Sequence, residues 1–203
     1  MADKNALVVV DVQNDFLPGG ALGVAEGDRI VPVLNEYIRR FREAGLPIFL
    51  TRDWHPPISK HFKTAGGPWP PHCVEGTPGA AFAPGLDIPP DAIIVSKGMD
   101  PNKDSYSAFD AGGPNGEGFE SLLRGRGVIH LYIGGLATDY CVRFTARDAV
   151  RRGFQFTVLQ DAVRGVNDED ARRALAEMAQ AGAKLVTLPA LPVLALKPTG
   201  GEV

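Results

Sequence analysis

Six short, almost uninterrupted apolar runs recur along the chain, most of them separated by amphipathic segments. They read ALVVVD at 6–11, PIFLTRD at 47–53, AIIVSKG at 92–98, VIHLYIGG at 128–135, FQFTVLQDA at 154–162 and AKLVTL at 183–188. A run that is apolar at successive positions leaves no face for water, so it reads as a strand buried on both sides of a sheet. Residues 28–44 place Ile30, Val33, Leu34, Tyr37, Ile38 and Phe41 at helical spacing, with Asp28 as a cap and Gly45 as a stop. Further helices are expected over 117–125, 138–152 and 168–181. Strands alternating with helices dictate an α/β fold: a mostly parallel six-stranded sheet with right-handed crossovers and helices on both faces.

The 203 residues suffice for one compact domain spanning 1–203, and no linker or internal repeat divides them. The Pro-rich tail from 189 onward is expected to wrap the periphery. A net charge of -3 with no basic stripe argues against nucleic acid or an anionic membrane as partner. No apolar run is long enough to span a bilayer. The opening MADKNALVVVD has no secretory pattern, and the 2 cysteines suit a reducing compartment, so a cytoplasmic location is expected.

In an open parallel sheet, ligands bind beyond the carboxyl ends of the strands. Asp11, Asp53 and Lys97 close the first three strands, and Cys141 lies just past the fourth. Taken singly, each has an ordinary explanation as a cap, a surface charge or a small core residue. Their convergence on one rim is what points to chemistry. With Thr138 or Asp139 as cap, Cys141 falls in the first turn of a helix, where the macrodipole and a nearby lysine should lower its pKa. Asp11 would then serve as its base, and the backbone N–H groups at the helix start as an oxyanion hole.

The long Pro- and Gly-rich stretch from 54 to 90 holds three of the 4 histidines, His55, His61 and His72, just after Asp53. Loops of that length in a compact domain are usually functional. Imidazoles with one carboxylate suit zinc, iron(II) or manganese, although the spacing matches no short metal motif and the residues alone leave the matter open. His130, in mid-strand, reads as a packing residue, and Cys73 as a small semi-buried one.

Five stretches carry a resemblance over nearly the whole chain: VVVDVQNDFLPGGAL at 8–22, TRDWHP at 51–56, WPPHCVEGTPGA at 69–80, KGMDPNKDSYSAF at 97–109 and GLATDYCV at 135–142. Together they resemble the nicotinamidase/pyrazinamidase family of the isochorismatase-like cysteine hydrolases. The resemblance implies a Rossmann-like three-layer sandwich and a catalytic triad at Cys141, Asp11 and Lys97. It implies a site for one divalent metal ion (zinc, iron or manganese) at Asp53, His55 and His72, with His61 as a further ligand. Phe16 and Trp69 match aromatics that sandwich a pyridine ring, and Tyr106 would line the same pocket. A cis peptide before Ala137 would set the Ala137 N–H beside that of Cys141 as oxyanion donors. The implied reaction is hydrolysis of nicotinamide, and of pyrazinamide-like analogues, through a cysteine thioester, with a role in recycling pyridine nucleotides. Oligomeric state stays open, a homo-oligomer included.

Two rivals differ in kind. One keeps the chemistry but takes another small amide, carbamoyl compound or ureido acid. The other is a thiol-based sensor or interaction protein, which would use Cys141 but has no need of Asp11, Lys97 and the histidine loop together. The Gly-rich AGGPNGEG at 111–118 falls away from every implied site residue.

Overall fold

A computed structural model describes residues 4–191; most of the proposed peripheral tail lies outside the described residues. Six strands form one all-parallel sheet: β1 (Lys4–Val10), β2 (Ile48–Asp53), β3 (Ile93–Lys97), β4 (Val128–Leu136), β5 (Gln155–Arg164) and β6 (Lys184–Val186). Their order is β3-β2-β1-β4-β5-β6. Four helices accompany them: α1 (Ile30–Glu43), α2 (Phe119–Gly125), α3 (Arg143–Arg151) and α4 (Asp168–Gln180). None of the described helices is long and apolar enough to cross a membrane.

Strand β1 shows why the apolar runs are continuous. Leu7 and Val9 pack with Ile30, Leu34 and Phe41 of α1 on one face. Ala6, Val8 and Val10 pack with Phe119 of α2, Ala146 of α3 and Met178 of α4 on the other. Both alternating sets are therefore needed in the core. Each fully buried aliphatic side chain contributes roughly 1.5–3 kcal/mol of transfer free energy. Chain order reverses about β1, which pairs with both β2 and β4. Such a switch point opens a crevice at the carboxyl ends of β1 and β4.

The ends of α1 separate a correct reading from a mistaken one. Gly45 adopts φ 64, its N–H bonds to the Arg42 carbonyl, and the Leu46 N–H reaches back to Phe41. This double closure is the Schellman stop that glycine permits. Asp28, expected as the cap, instead sits inside a 3-10 turn, Gly27–Arg29, and no side chain caps α1. The start of the helix after β4 also differs. Residues Thr138–Val142 form a π turn, with the Val142 N–H on the Ala137 carbonyl at 3.2 Å, and α3 begins only at Arg143. Neither Thr138 nor Asp139 caps it. The Asp139 carboxylate turns away to accept the N–H groups of Val166 and Asn167 at 3.0 and 3.1 Å.

The glycine-rich stretch at 111–118 has a structural job. Ser96 and Gly112 exchange backbone hydrogen bonds, both 2.9 Å, which covers part of the otherwise open edge of β3. His130 lies half-buried in β4, stacked on Tyr132 and bonded to Thr157 Oγ1 at 2.8 Å, a packing role as expected.

Candidate active site

Three side chains meet at the switch point. Asp11 directly follows β1 in the left-handed region, φ 47, which turns it out of the strand alternation. Lys97 ends β3, and Cys141 sits in the π turn after β4. The Lys97 ammonium lies 3.0 Å from Asp11 Oδ2 and 3.6 Å from Cys141 Sγ, and it also hydrogen-bonds Asp53. One oxygen each of Asp11 and Asp53 and the Cys141 sulfur lie within 4.8 Å of one another. Lys97 is only 1% exposed, so this is a buried cluster of two carboxylates, one ammonium and one thiol.

Two neighbours absent from the sequence reading hold the acids. Thr51, on β2, accepts the Asp11 N–H at 3.2 Å and donates its hydroxyl to Asp11 Oδ1 at 2.6 Å. The Gln13 side chain brackets Asp53, accepting its N–H at 2.7 Å and donating to its carbonyl at 2.8 Å. The signal that could have found Thr51 is strand alternation: it sits two residues before Asp53 and faces the same side.

Burial sets the electrostatics. It raises the Asp11 pKa, opposed by Lys97 and reinforced by Asp53. Burial raises Asp53 as well, but Lys97, His55 and His72 outweigh it and keep that carboxyl well below the usual range. For Lys97, burial pulls downward, yet Asp11 and Asp53 together hold it well above the ordinary lysine value. The Cys141 thiol runs against the sequence expectation. Burial pushes it well above its ordinary value, Lys97 lowers it, and Asp11 and Asp53 raise it again. The lysine's charge is already shared by two carboxylates, so a third anion is disfavoured. The thiol is thus held protonated beside a carboxylate whose own basicity is raised, a pairing suited to proton transfer.

The 54–90 loop folds back on itself. The His55 N–H bonds to the Cys73 carbonyl at 3.0 Å, and the Glu75 N–H to the His55 carbonyl at 2.8 Å. The Lys63 N–H bonds to the Trp69 carbonyl, 2.6 Å, and the Trp69 N–H to His61, 3.3 Å. Asp15 anchors the fold by accepting the Cys73 N–H at 2.7 Å. Cys73 itself is fully buried rather than semi-buried, with burial raising its thiol pKa; it packs, and its sulfur has no role in the site. These bonds gather His55, His61 and His72, all buried, with one ring nitrogen of each within 4.8 Å of the others.

The ring nitrogens carry further information. His55 Nδ1 meets the Gly98 carbonyl at 3.0 Å, His72 Nδ1 the Pro70 carbonyl at 2.8 Å, and His61 Nδ1 an Asp104 oxygen at 2.8 Å. An acceptor at each Nδ1 requires the proton there, so Nε2 is the nitrogen each ring has left to offer a metal. His55 Nε2 is buried with no hydrogen-bond partner among the described residues. Burial lowers the pKa of His72 to about 4 and that of His61 as well, so both rings stay neutral. Asp53 Oδ2 lies 3.8 Å from His55 Nε2 and 4.0 Å from His72 Nε2. Three imidazoles each tethered at Nδ1, beside an ionised carboxylate, fit a divalent cation. The acids and the lysine leave one uncompensated negative charge for it to offset.

A cavity of about 290 Å³ opens over this floor. Cys141, Ala137, Asp53, His61 and His72 line its base; Phe16, Trp69, Tyr106 and Tyr140 form aromatic walls. Trp69 Nε1 donates to the Tyr106 hydroxyl at 3.0 Å and its ring meets Tyr140 edge-on at 5.1 Å. The structure therefore brings every sequence-derived candidate to one place, adding Tyr140, which the sequence reading had missed. Leu22 and Val24 close one side, and Val166, 52% exposed, stands at the wall's outer edge. The peptide between Leu136 and Ala137 is cis, the isomer the resemblance implies.

Comparison with known proteins adds four findings. The family model described as isochorismatase domain matches residues 5–190. The nicotinamidase of Escherichia coli (strain K12) is 40% identical over 201 residues, spanning 90% of this chain and 94% of that protein. The nicotinamidase/pyrazinamidase of Mycobacterium tuberculosis is 40% identical over 186 residues, 89% of this chain and 97% of that one. Among solved structures, the pyrazinamidase of Pyrococcus horikoshii in complex with zinc superposes with a TM-score of 0.85 at 52% identity, covering 91% of this chain and 99% of that chain.

Proposed function

We infer the activity from the premise that this chain belongs to the isochorismatase family: it hydrolyses nicotinamide to nicotinic acid and ammonia. The observation that carries this reading is the placement of the Cys141 thiol between a buried acid–lysine pair and an aromatic cavity lined by His61 and His72. The scaffold supports acyl transfer, and the cavity supports a flat heteroaromatic amide. No lysine or arginine occurs among the described residues lining the cavity. An anionic ureido acid would find neither there to pair with its carboxylate, which favours a neutral carboxamide.

In this account the pyridine ring lies between Phe16 and Trp69, beside Tyr106, with its carboxamide over Cys141. Asp11 takes the thiol proton as the sulfur attacks the amide carbon, and Lys97 stabilises the thiolate while keeping Asp11 oriented. The Ala137 and Cys141 N–H groups receive the oxyanion. The intermediate collapses, Asp11 hands its proton to the departing nitrogen, and ammonia leaves a nicotinoyl thioester on Cys141. Asp11 then deprotonates a water that attacks the thioester, releasing nicotinic acid and returning a proton to the sulfur. General acid–base assistance of this type is worth roughly 10²–10⁴-fold. Asp53, His55 and His72, with His61, would hold a divalent metal: zinc, as in the Pyrococcus relative, or iron or manganese. When bound, that ion would supply a Lewis-acidic position for a ring-nitrogen donor.

The test is ammonia release from nicotinamide, pyrazinamide and a ureido acid by purified protein, before and after chelation and after each metal is restored. Turnover of the two neutral amides, lost on chelation and regained with one metal, is the expected result. Turnover of the ureido acid alone would overturn the substrate assignment.

A further inference from the structure

The three histidines are tethered by different kinds of acceptor. His55 and His72 each give their Nδ1 proton to a neutral backbone carbonyl, Gly98 and Pro70. His61 alone has a carboxylate at its Nδ1, with Nδ1 and Asp104 Oδ1 2.8 Å apart. An ionised carboxylate only accepts, so it settles the tautomer and leaves Nε2 free. It also pushes electron density onto the ring, raising its basicity toward a metal.

Asp104 sits on the segment that follows β3, and this segment touches the site repeatedly. Lys97 precedes it, the Gly98 carbonyl holds His55, and Tyr106 two residues later walls the cavity. The Lys60 N–H bonds to the Pro101 carbonyl at 2.8 Å, joining this segment to the strand of loop that carries His61. The Asp104 side chain is 56% exposed while the His61 side chain is 3% exposed. The carboxylate therefore keeps its contact with water while one of its oxygens reaches a buried ring.

We propose that Asp104 is a positioning residue for the metal site, fixing His61 as a ligand and setting how tightly the ion is held. This rests on the metal reading above. A backbone carbonyl cannot be removed by substitution, so among the three tethers Asp104 is the one whose accepting group a substitution can delete without replacing a ligand.

The experiment measures zinc affinity of the full chain by competition with a chromophoric chelator, for the native protein, Asp104→Asn and Asp104→Ala. Visible absorption of the cobalt-loaded forms reports the ligand set, and circular dichroism of the metal-free forms checks the fold. Asp104→Ala should bind zinc about 10–100-fold more weakly, with an altered cobalt spectrum. Asp104→Asn, which still accepts a hydrogen bond, should fall between. If native protein binds one zinc and both variants bind it equally well with unchanged cobalt spectra, the role of Asp104 is refuted while the metal site stands. If native protein binds no zinc, cobalt, iron or manganese, the metal reading fails and Asp104 falls with it.

Discussion

Replacing Lys97 with methionine tests the electrostatic heart of the site, because the substitution keeps the apolar stem and removes only the charge. The Lys97 ammonium lies 3.0 Å from Asp11 Oδ2 and bonds Asp53 as well, and the three side chains are at most 4% exposed. Its loss leaves two carboxylates facing each other out of water. Breaking a buried pair by removing one partner costs about 3–5 kcal/mol. For a domain of this size that corresponds to a fall in Tm of about 6–20 °C. Removing one carboxylate as well, in Lys97→Met with Asp11→Asn, should recover most of the loss, giving a coupling energy of about 1–3 kcal/mol in a double-mutant cycle. The assay is calorimetric or optical melting of the metal-free proteins at neutral pH. A Lys97→Met protein that melts with the native one, or that gains nothing from Asp11→Asn, would refute the claim that this lysine neutralises both acids.

Three smaller perturbations follow from neighbouring contacts. Gly98→Ala would place a methyl group 2.4 Å from His55 Cε1 in a residue at φ +74, so it should weaken metal binding about tenfold or more by displacing that ring, as equilibrium dialysis would show. Thr51→Val deletes the 2.6 Å hydroxyl bond to buried Asp11 Oδ1; it should cost about 1–3 kcal/mol of stability and lower kcat with KM unchanged, whereas Thr51→Ser keeps both. A fall in KM alone would contradict that role. Gly135→Ala meets the Val10 carbonyl at 2.1 Å at φ +120, so it should force β1 and β4 apart and appear as insoluble protein on expression.

The sequence made the sheet legible because β1 is apolar at every position from Ala6 to Val10, and only burial on both faces requires that. The rim residues were legible for the related reason that Asp11, Asp53 and Lys97 are polar at the ends of such runs. What the sequence hid depends on turns. The π turn at Thr138–Val142 carries no composition signal distinct from an ordinary helix start, so Thr138 or Asp139 was expected as the cap; neither caps it, and the Asp139 carboxylate instead binds the 166–167 backbone. The sign of the Cys141 shift was hidden as well. A lysine beside a thiol suggests acidification, but burial pushes the thiol up and Asp11 and Asp53 already claim the lysine's charge. Tyr140 and Asp104 were missed because their importance arises from loops meeting across the fold, where spacing along the chain says nothing.

The central claim is that Cys141 forms an acyl intermediate with the amide, and hydroxylamine partitioning tests it most directly. Hydroxylamine competes with water for a thioester, so native protein turning over nicotinamide should yield nicotinohydroxamate at the expense of nicotinic acid. Cys141→Ala should yield neither product. Hydrolysis that persists in Cys141→Ala at the native rate, with nicotinic acid the sole product at any hydroxylamine concentration, would contradict the account.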